Sequence, residues 1–264
     1  VITIIVGELS KYITIRQSAS TTGKVHVENA GSLLELLKCD VSKIEELTIS
    51  GYLNGTDFKL LREMSNNLIK LDLSEAHIVE GGESYFFEAN QKHYTKNNVL
   101  PYWGLGYFTE LKELILPQTI QQIDNYACIG CYELKNIDVP QTIGRIGEDA
   151  FYGCASLESI NITKKVSVIS IGTFCGCSNL KQISLPEKLD SISTMAFGNC
   201  KSLTEIKLND GLRVIESSAF LGCSALEFIN IPQSVDYIGI SAFADCSSLK
   251  ELMLYEGVED CHSI

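Results

Sequence analysis

Positive charge is scarce in this chain: 21 Lys and Arg stand against 33 Asp and Glu in 264 residues, a formal charge of −12. Nucleic-acid binding neutralises backbone phosphates with a local basic patch. No such patch is found, so nucleic acid is not an expected partner. Long apolar runs are missing too. The longest is Val1 to Val6, far short of the ~20 residues that cross a bilayer as a helix, so no transmembrane segment is expected. There are four histidines, His26, His77, His93 and His262, and they share no ligand spacing; neither a metal nor a cofactor is expected. G-x-S-x-G, P-loop and dinucleotide fingerprints are absent, and the adjacent Glu148 and Asp149 fall at a turn where solvent holds them, so the chain is not expected to be an enzyme. A composition of 45% hydrophobic and 20% charged residues is that of a folded protein.

What the chain has in abundance is repetition. Cys131, Cys154, Cys177, Cys200, Cys223 and Cys246 follow one another at steps of 23 residues. Three residues beyond each stands Leu134, Leu157, Leu180, Leu203, Leu226 or Leu249, followed by apolar pairs such as Ile137/Val139, Ile160/Ile162 and Ile206/Leu208. The register extends back to Leu111, then Leu68, then Ile44, so nine units are visible. The second half of each unit is patterned as well, with Ile143/Ile146 and Val166/Ile169 leading to Ala150-Phe151 and Thr173-Phe174, and so on to Ala242-Phe243. One such unit buries too little apolar surface to offset its chain entropy, so successive units must stack into a continuous core.

Gly130, Gly153, Gly176, Asn199, Gly222 and Asp245 precede the column cysteines; these residue types tolerate positive φ, which predicts a turn there. Pro117, Pro140, Pro186 and Pro232 come just after the strand segment, where a missing N–H ends the ladder. Cys128 and Cys131 form C-x-x-C, yet Cys128 stands in the column of Phe151 and Phe174, so both are expected to be buried small hydrophobes. Stacked coils place column neighbours ~4.8 Å apart with parallel side chains, wider than a disulfide prefers, so reduced thiols are expected. Cys175, at a variable position, is expected to be partly accessible.

Residues 1–43 read as an N-terminal α/β cap, with a strand at Val1 to Val6 and a helix over Ser32 to Lys38 whose apolar side is Leu33, Leu34, Leu36 and Leu37. A second helix is expected from Asp57 to Met64, capped by Thr56 or Asp57. Residues 44–103 read as irregular first repeats, and 104–264 as regular ones that stop mid-unit. Since the chain also opens on Val, we expect the native protein to extend further, and an absent signal peptide says nothing about secretion.

The run Ile146-Gly147-Glu148-Asp149-Ala150-Phe151-Tyr152-Gly153-Cys154-Ala155-Ser156-Leu157-Glu158-Ser159-Ile160-Asn161-Ile162 resembles the BspA-like leucine-rich repeat, I-G-x-x-A-F-x-G-C-x-x-L-x-x-I-x-[IL]-P, and Ile238 to Phe243 repeats its first half. The resemblance covers 104–264 and, less regularly, 44–103. It implies a leucine-rich-repeat solenoid, a right-handed coil with a parallel β-sheet on one face, mostly strand and loop with little helix. It also implies a secreted or surface-exposed protein of a host-associated bacterium, with adhesion to host matrix proteins or other bacteria among the functions. The asparagine ladder of the widely known leucine-rich repeat is missing: Thr119, Thr142, Lys165, Lys188, Gly211, Ser234 and Gly257 stand in its place. A flatter solenoid is expected in place of a strongly curved horseshoe.

Period-two geometry turns the residues beside the inward apolar ones outward onto the sheet face. The candidate contact residues are therefore Asn136, Asp138, Ser159, Asn161, Gln182, Ser184, Glu205, Lys207, Phe228, Asn230, Glu251 and Met253, a set that varies in chemistry on a fixed frame. The step from Leu68 to Leu111 is 43 residues, which places an insertion at about 80–98. Eight of the chain's 22 aromatic side chains lie within 85–108. Tyr85, Phe86, Phe87, Tyr94, Tyr102 and Trp103 are a second candidate set, either packing the insertion onto the solenoid or contacting a ligand. The expected function is an extracellular binding module for a protein partner, a host matrix or surface protein among them, acting as a monomer. A carbohydrate-binding module and a structural spacer for a further domain are the alternatives.

Overall fold

The computed structural model describes residues 2–4, 13–17 and 21–253. It is a β-solenoid of about 10 turns with parallel sheets and little helix. The chain enters through β1 (Ile2–Ile4), β2 (Ile13–Gln17) and β3 (Thr21–Val27), then a short helix α1 (Leu33–Leu37), β4 (Ile44–Leu53), helix α2 (Gly55–Glu63) and β5 (Lys70–Ile78). An antiparallel hairpin, β6 (Gly81–Glu88) and β7 (Gln91–Thr95), interrupts the coil. Thereafter each coil carries one strand on each of two sides: β8 (Val99–Leu100) and β9 (Glu113–Ile115), β10 (Gln122–Ile123) and β11 (Asn136–Asp138), β12 (Arg145–Ile146) and β13 (Ser159–Asn161). The same alternation continues through β14 (Val168–Ile169) and β15 (Gln182–Ser184), β16 (Ser191–Ile192) and β17 (Glu205–Ile206), β18 (Val214–Ile215) and β19 (Phe228–Asn230), and β20 (Tyr237–Ile238) and β21 (Glu251–Met253).

The 23-residue step reappears as strand register. Glu113 pairs with Asn136, Ser159 with Gln182 and Phe228 with Glu251, all in parallel. The longer step pairs Lys70 with Glu113 without a break in the ladder, because the extra residues leave the coil as the hairpin. Sequence patterning recognised nine units from Ile44 onward; β3 pairs in parallel with β4 and lays one more coil on the stack.

Within the coils the columns become layers. Phe151, Phe174, Phe197, Phe220 and Phe243 stack ring on ring, with centroids 5.7, 5.6, 5.2 and 5.3 Å apart. Cys128 holds this column's place one coil earlier and is fully buried. The column cysteines do more than fill space. Cys154, Cys177, Cys200 and Cys223 donate their thiols to the carbonyls of Cys128, Phe151, Phe174 and Phe197 at 3.1 to 3.3 Å, so each binds its coil to the one before. Cys154 and Cys177 thus sit one rung apart in equivalent surroundings. The nine described cysteines are free thiols.

The expected turn is present, with positive φ from 58° to 76° at Gly130, Gly153, Gly176, Asn199, Gly222 and Asp245. A second left-handed column runs four residues earlier through Trp103, Tyr126, Asp149, Gly172, Met195, Ser218 and Ser241. Its residue types are too mixed to announce it in the sequence. Both columns donate across the stack: Asp149, Phe151 and Gly153 give their N–H groups to the carbonyls of Ile171, Thr173 and Cys175, and the pattern recurs coil after coil. Left-handed backbone here lets alternate amides point along the solenoid axis, which satisfies groups that no regular strand would.

Three local expectations change. Helix α2 starts at Gly55, not Asp57, because Asn54 is its N-cap: the Asn54 side chain accepts from Thr56 N–H at 3.0 Å while Asp57 accepts from Asn54 N–H at 2.9 Å, a reciprocal cap. In α1, Leu34 is 62% exposed, since five residues form little more than one turn; Leu33 and Leu37 are buried in the core and Leu36 packs against it. Cys175 is 4% exposed rather than accessible; burial, aided by the Asp149 charge, pushes its thiol up to about 11. The strand expected at Val1 to Val6 is described only over Ile2–Ile4; the expected register of Val258 and Cys261 lies outside the described residues.

Candidate functional site

One side of the solenoid presents the longer strands. On it Asn136, Asp138, Ser159, Asn161, Gln182, Ser184, Glu205, Lys207, Phe228, Asn230 and Glu251 are all exposed, while Ile137, Ile160, Ile206 and Ile229 between them are buried. Met253 is in β21, its side chain outside the described residues. The strand pleat brings these outward side chains into two rows along the solenoid axis.

The sheet is not continuous. It runs from β1 to β11, resumes as β13–β15, and again as β17–β19–β21. Between equivalent positions one N–H-to-carbonyl bond recurs, from Glu158 to Lys135, Lys181 to Glu158, Glu227 to Thr204 and Lys250 to Glu227. Among the described residues, Thr204 makes no such bond to Lys181. On the opposite side, β14, β16, β18 and β20 stay paired across the same coils. The strand layer therefore splays on one side only, and a shallow cavity of about 530 Å³ opens there.

Gln182, Ile183, Ser184, Glu205, Ile206, Lys207, Phe228 and Asn230 line it. Six of these eight are outward residues expected from the pattern. Ile183 and Ile206 were assigned to the interior, and the splay leaves Ile183 half-buried. No sequence signal distinguishes Ile183 from its column neighbours, because strand separation is a property of two coils together. Phe228 is 56% exposed at the cavity edge, with Lys250 Nζ 5.0 Å from its ring centroid and 2.6 Å from Glu227. Elsewhere the row is knit by exposed ion pairs, Lys181–Glu158 at 3.0 Å and Lys70–Glu113 at 2.6 Å. Such pairs contribute little to stability. The cavity thus combines an apolar floor, an exposed ring, one carboxylate, one ammonium and several amide and hydroxyl groups, a mixture suited to binding a peptide surface.

The aromatic candidates divide in two. Tyr85 is buried and its hydroxyl donates to the Tyr102 carbonyl at 2.8 Å; burial raises the phenol strongly. Phe86 stacks on Trp103 at 5.2 Å, and Tyr126 stacks on the same indole at 5.7 Å. His93 lies on Tyr102 at 4.2 Å, and Tyr102 donates to Glu88 at 2.7 Å. Arg62 donates to the Trp103 carbonyl. These rings fasten the hairpin to the first regular coil. Phe87 and Tyr94 instead point into solvent. Among the described residues no group of His, Cys, Asp and Glu is placed to hold a metal ion, and no helix is long and apolar enough to cross a membrane.

Known proteins place this architecture. A model of the BspA type leucine-rich repeat region matches in six copies, over residues 105–223 and 174–263. No curated protein matches the chain. A leucine-rich repeat protein from Bacteroides ovatus ATCC 8483 is 18% identical with a TM-score of 0.59, covering 96% of this chain; the chain spans 59% of that protein's length. A leucine-rich repeat protein from Eubacterium ventriosum ATCC 27560 is 16% identical with a TM-score of 0.53, covering 94% of this chain and 95% of its own. At these identities the two structures share the fold, and the matched repeats carry the kinship. The chain belongs to the BspA-type leucine-rich repeat family.

Proposed function

We propose that this chain is a protein-interaction module, not an enzyme, and that it binds its partner on the long-strand face around the cavity between β15 and β17. One observation carries the proposal: the ladder breaks between β15 and β17, and there the outward residues surround the half-buried Ile183 with an exposed phenylalanine beside it. Phe228 is the anchor, the type of residue that dominates binding energy when it enters a partner's pocket. Glu205, Lys207, Gln182 and Asn230 form the polar rim that sets orientation. We further place the protein outside the cell of a host-associated bacterium, with a host matrix or surface protein as the partner class; the family resemblance supports this. Reading the gene's own first ~25 codons tests the location by showing or excluding a signal peptide.

The binding test is a comparison of the parent chain with Phe228→Ala on arrays of host matrix proteins and of glycans. The expected result is a protein bound by the parent and held at least ~10-fold more weakly by the variant, the scale of a hot-spot truncation, with the melting temperature unchanged. Retention of glycans alone would favour a carbohydrate-binding module. A blank profile on both arrays would favour a structural spacer.

A further inference from the structure

Every coil repeats the same backbone, so the columns show which side chains the fold itself requires. The first left-handed column holds Trp103, Tyr126, Asp149, Gly172, Met195, Ser218 and Ser241; the second begins with Tyr107 and continues through Gly130, Gly153, Gly176, Asn199, Gly222 and Asp245. Small or polar residues satisfy the turn in most coils. Large rings occupy it in the first regular ones. The Tyr107 ring lies against Gly130, where a Cβ would come within 2.6 Å of Cδ1, and meets Tyr132 edge-on at 6.4 Å. Tyr132 stands beside Gly153, in a column that continues as Ala155, Ser178, Lys201, Ser224 and Ser247. Tyr107 is 44% exposed and Tyr132 46%, so neither ring is held by the core. Trp103 packs against Phe86, Tyr107 and Tyr126 at 5.2, 5.5 and 5.7 Å, which makes the indole a support for this corner.

Three carboxylates stand beside Tyr126. Asp149, Glu148 and Glu88 all lie close enough to Tyr126 to add to the effect of burial in raising its phenol. Among the described residues none of the three carboxylates has a cation within ion-pair distance, although Glu88 accepts from Tyr102. The nearby Lys96 and Arg145 are both engaged by Asp124, at 3.5 and 3.6 Å. The chain as a whole carries −12, so long-range steering also favours a cationic ligand.

We propose that this corner, Tyr107, Tyr126 and Tyr132 with Glu88, Glu148 and Asp149 beside them, is a second docking site and takes an arginine-bearing segment of a partner protein. A guanidinium lies flat on an aromatic face while its N–H fork binds a carboxylate, which an ammonium does less well. The cluster already holds one such contact internally, with the Arg62 guanidinium 4.8 Å above the Phe86 ring. An anionic ligand would meet three carboxylates. The site shares no residue with the cavity at Phe228, so either can fail without the other.

The repeat also dictates the test. Tyr107→Gly, Tyr126→Ser and Tyr132→Ser together install residues that other coils carry at the same columns, so the variant is expected to fold. The probe is a fluorescein-labelled Gly/Ser nonapeptide bearing three arginines, followed by anisotropy at two salt concentrations, beside a lysine version and a neutral oligosaccharide. We expect the arginine peptide to bind the parent more tightly than the lysine peptide. The triple variant should lose at least ~10-fold, about the scale of desolvated ring contacts, and Glu148→Gln/Asp149→Asn should also lose affinity. Phe228→Ala and the distant charge-matched pair Glu28→Gln/Glu75→Gln should not. Equal binding by parent and triple variant would reduce the attraction to net charge and overturn the proposal. So would ring-dependent retention of the oligosaccharide with no retention of the peptide.

Discussion

Single residues in this protein are constrained by their columns more than by their neighbours in the chain. Gly176 has φ of 76°, and an added Cβ would meet Gly153 at 3.5 Å, so space is available but the backbone conformation is not. A left-handed residue with a Cβ costs roughly 1–2 kcal/mol; Gly176→Ala should therefore lower stability by about 1 kcal/mol in urea titration, and an unchanged midpoint would contradict the strain assignment. The thiols offer a second check at this scale. The column cysteines are buried, and burial raises the thiols of Cys154, Cys177 and Cys200, whereas Cys39 is exposed. In a Cys261→Ser background at pH 8, a thiol reagent should react rapidly with Cys39 alone and reach the other eight only in denaturant. Partial desolvation and the adjacent Asp40 charge raise the Cys39 thiol, so its rate should climb as pH increases above 8. Fast reaction of several thiols in native buffer would mean that the column is open to solvent.

Among the elements, the two helices at the start of the coil show how one side chain can organise its surroundings. Asp57 is buried and accepts from the backbone N–H groups of Gly31, Leu33 and Asn54 at 2.6, 3.0 and 2.9 Å. It thus completes the α2 cap and at the same time satisfies the start of α1, which has no side-chain cap of its own. Asp57→Ala would strand three donors, at about 1–3 kcal/mol for each one left without a partner. The expected loss is at least ~2 kcal/mol, with amide exchange accelerating first in 31–37; a loss spread evenly over all coils would show that the tie between helices is not local. The hairpin β6–β7 sits equally close, for a Cβ on Gly55 would lie 2.1 Å from the Glu83 carbonyl. The extra residues were visible as a break in spacing, but their docking onto α2 was not, since it depends on a backbone approach that one glycine permits.

At the scale of the whole molecule the coils are coupled only to those above and below, so stability is nearest-neighbour in character. Phe197 lies between Phe174 and Phe220 in the ring stack. Phe197→Ala should cost about 3–5 kcal/mol and divide the stack. Hydrogen exchange is then expected to quicken in the coils from 205 onward relative to those before 160. Uniform acceleration along the chain would instead mean that the solenoid unfolds as one unit. The opening between β15 and β17 belongs to this scale as well: the ladder breaks there while β14, β16, β18 and β20 remain paired on the other side of the same coils.

The sequence by itself determined the repeat length, the inward columns, the turn glycines and the outward row, because each depends on a local backbone preference multiplied over many coils. It also located the surplus residues and the aromatic cluster. Tertiary structure alone decided that the cysteine thiols bind coil to coil, that Trp103 packs among other rings while Tyr107 and Tyr132 are exposed, and that Ile183 lines a cavity. These depend on the separation between coils, a collective distance set by every layer of the stack at once, and no single unit's residues encode it.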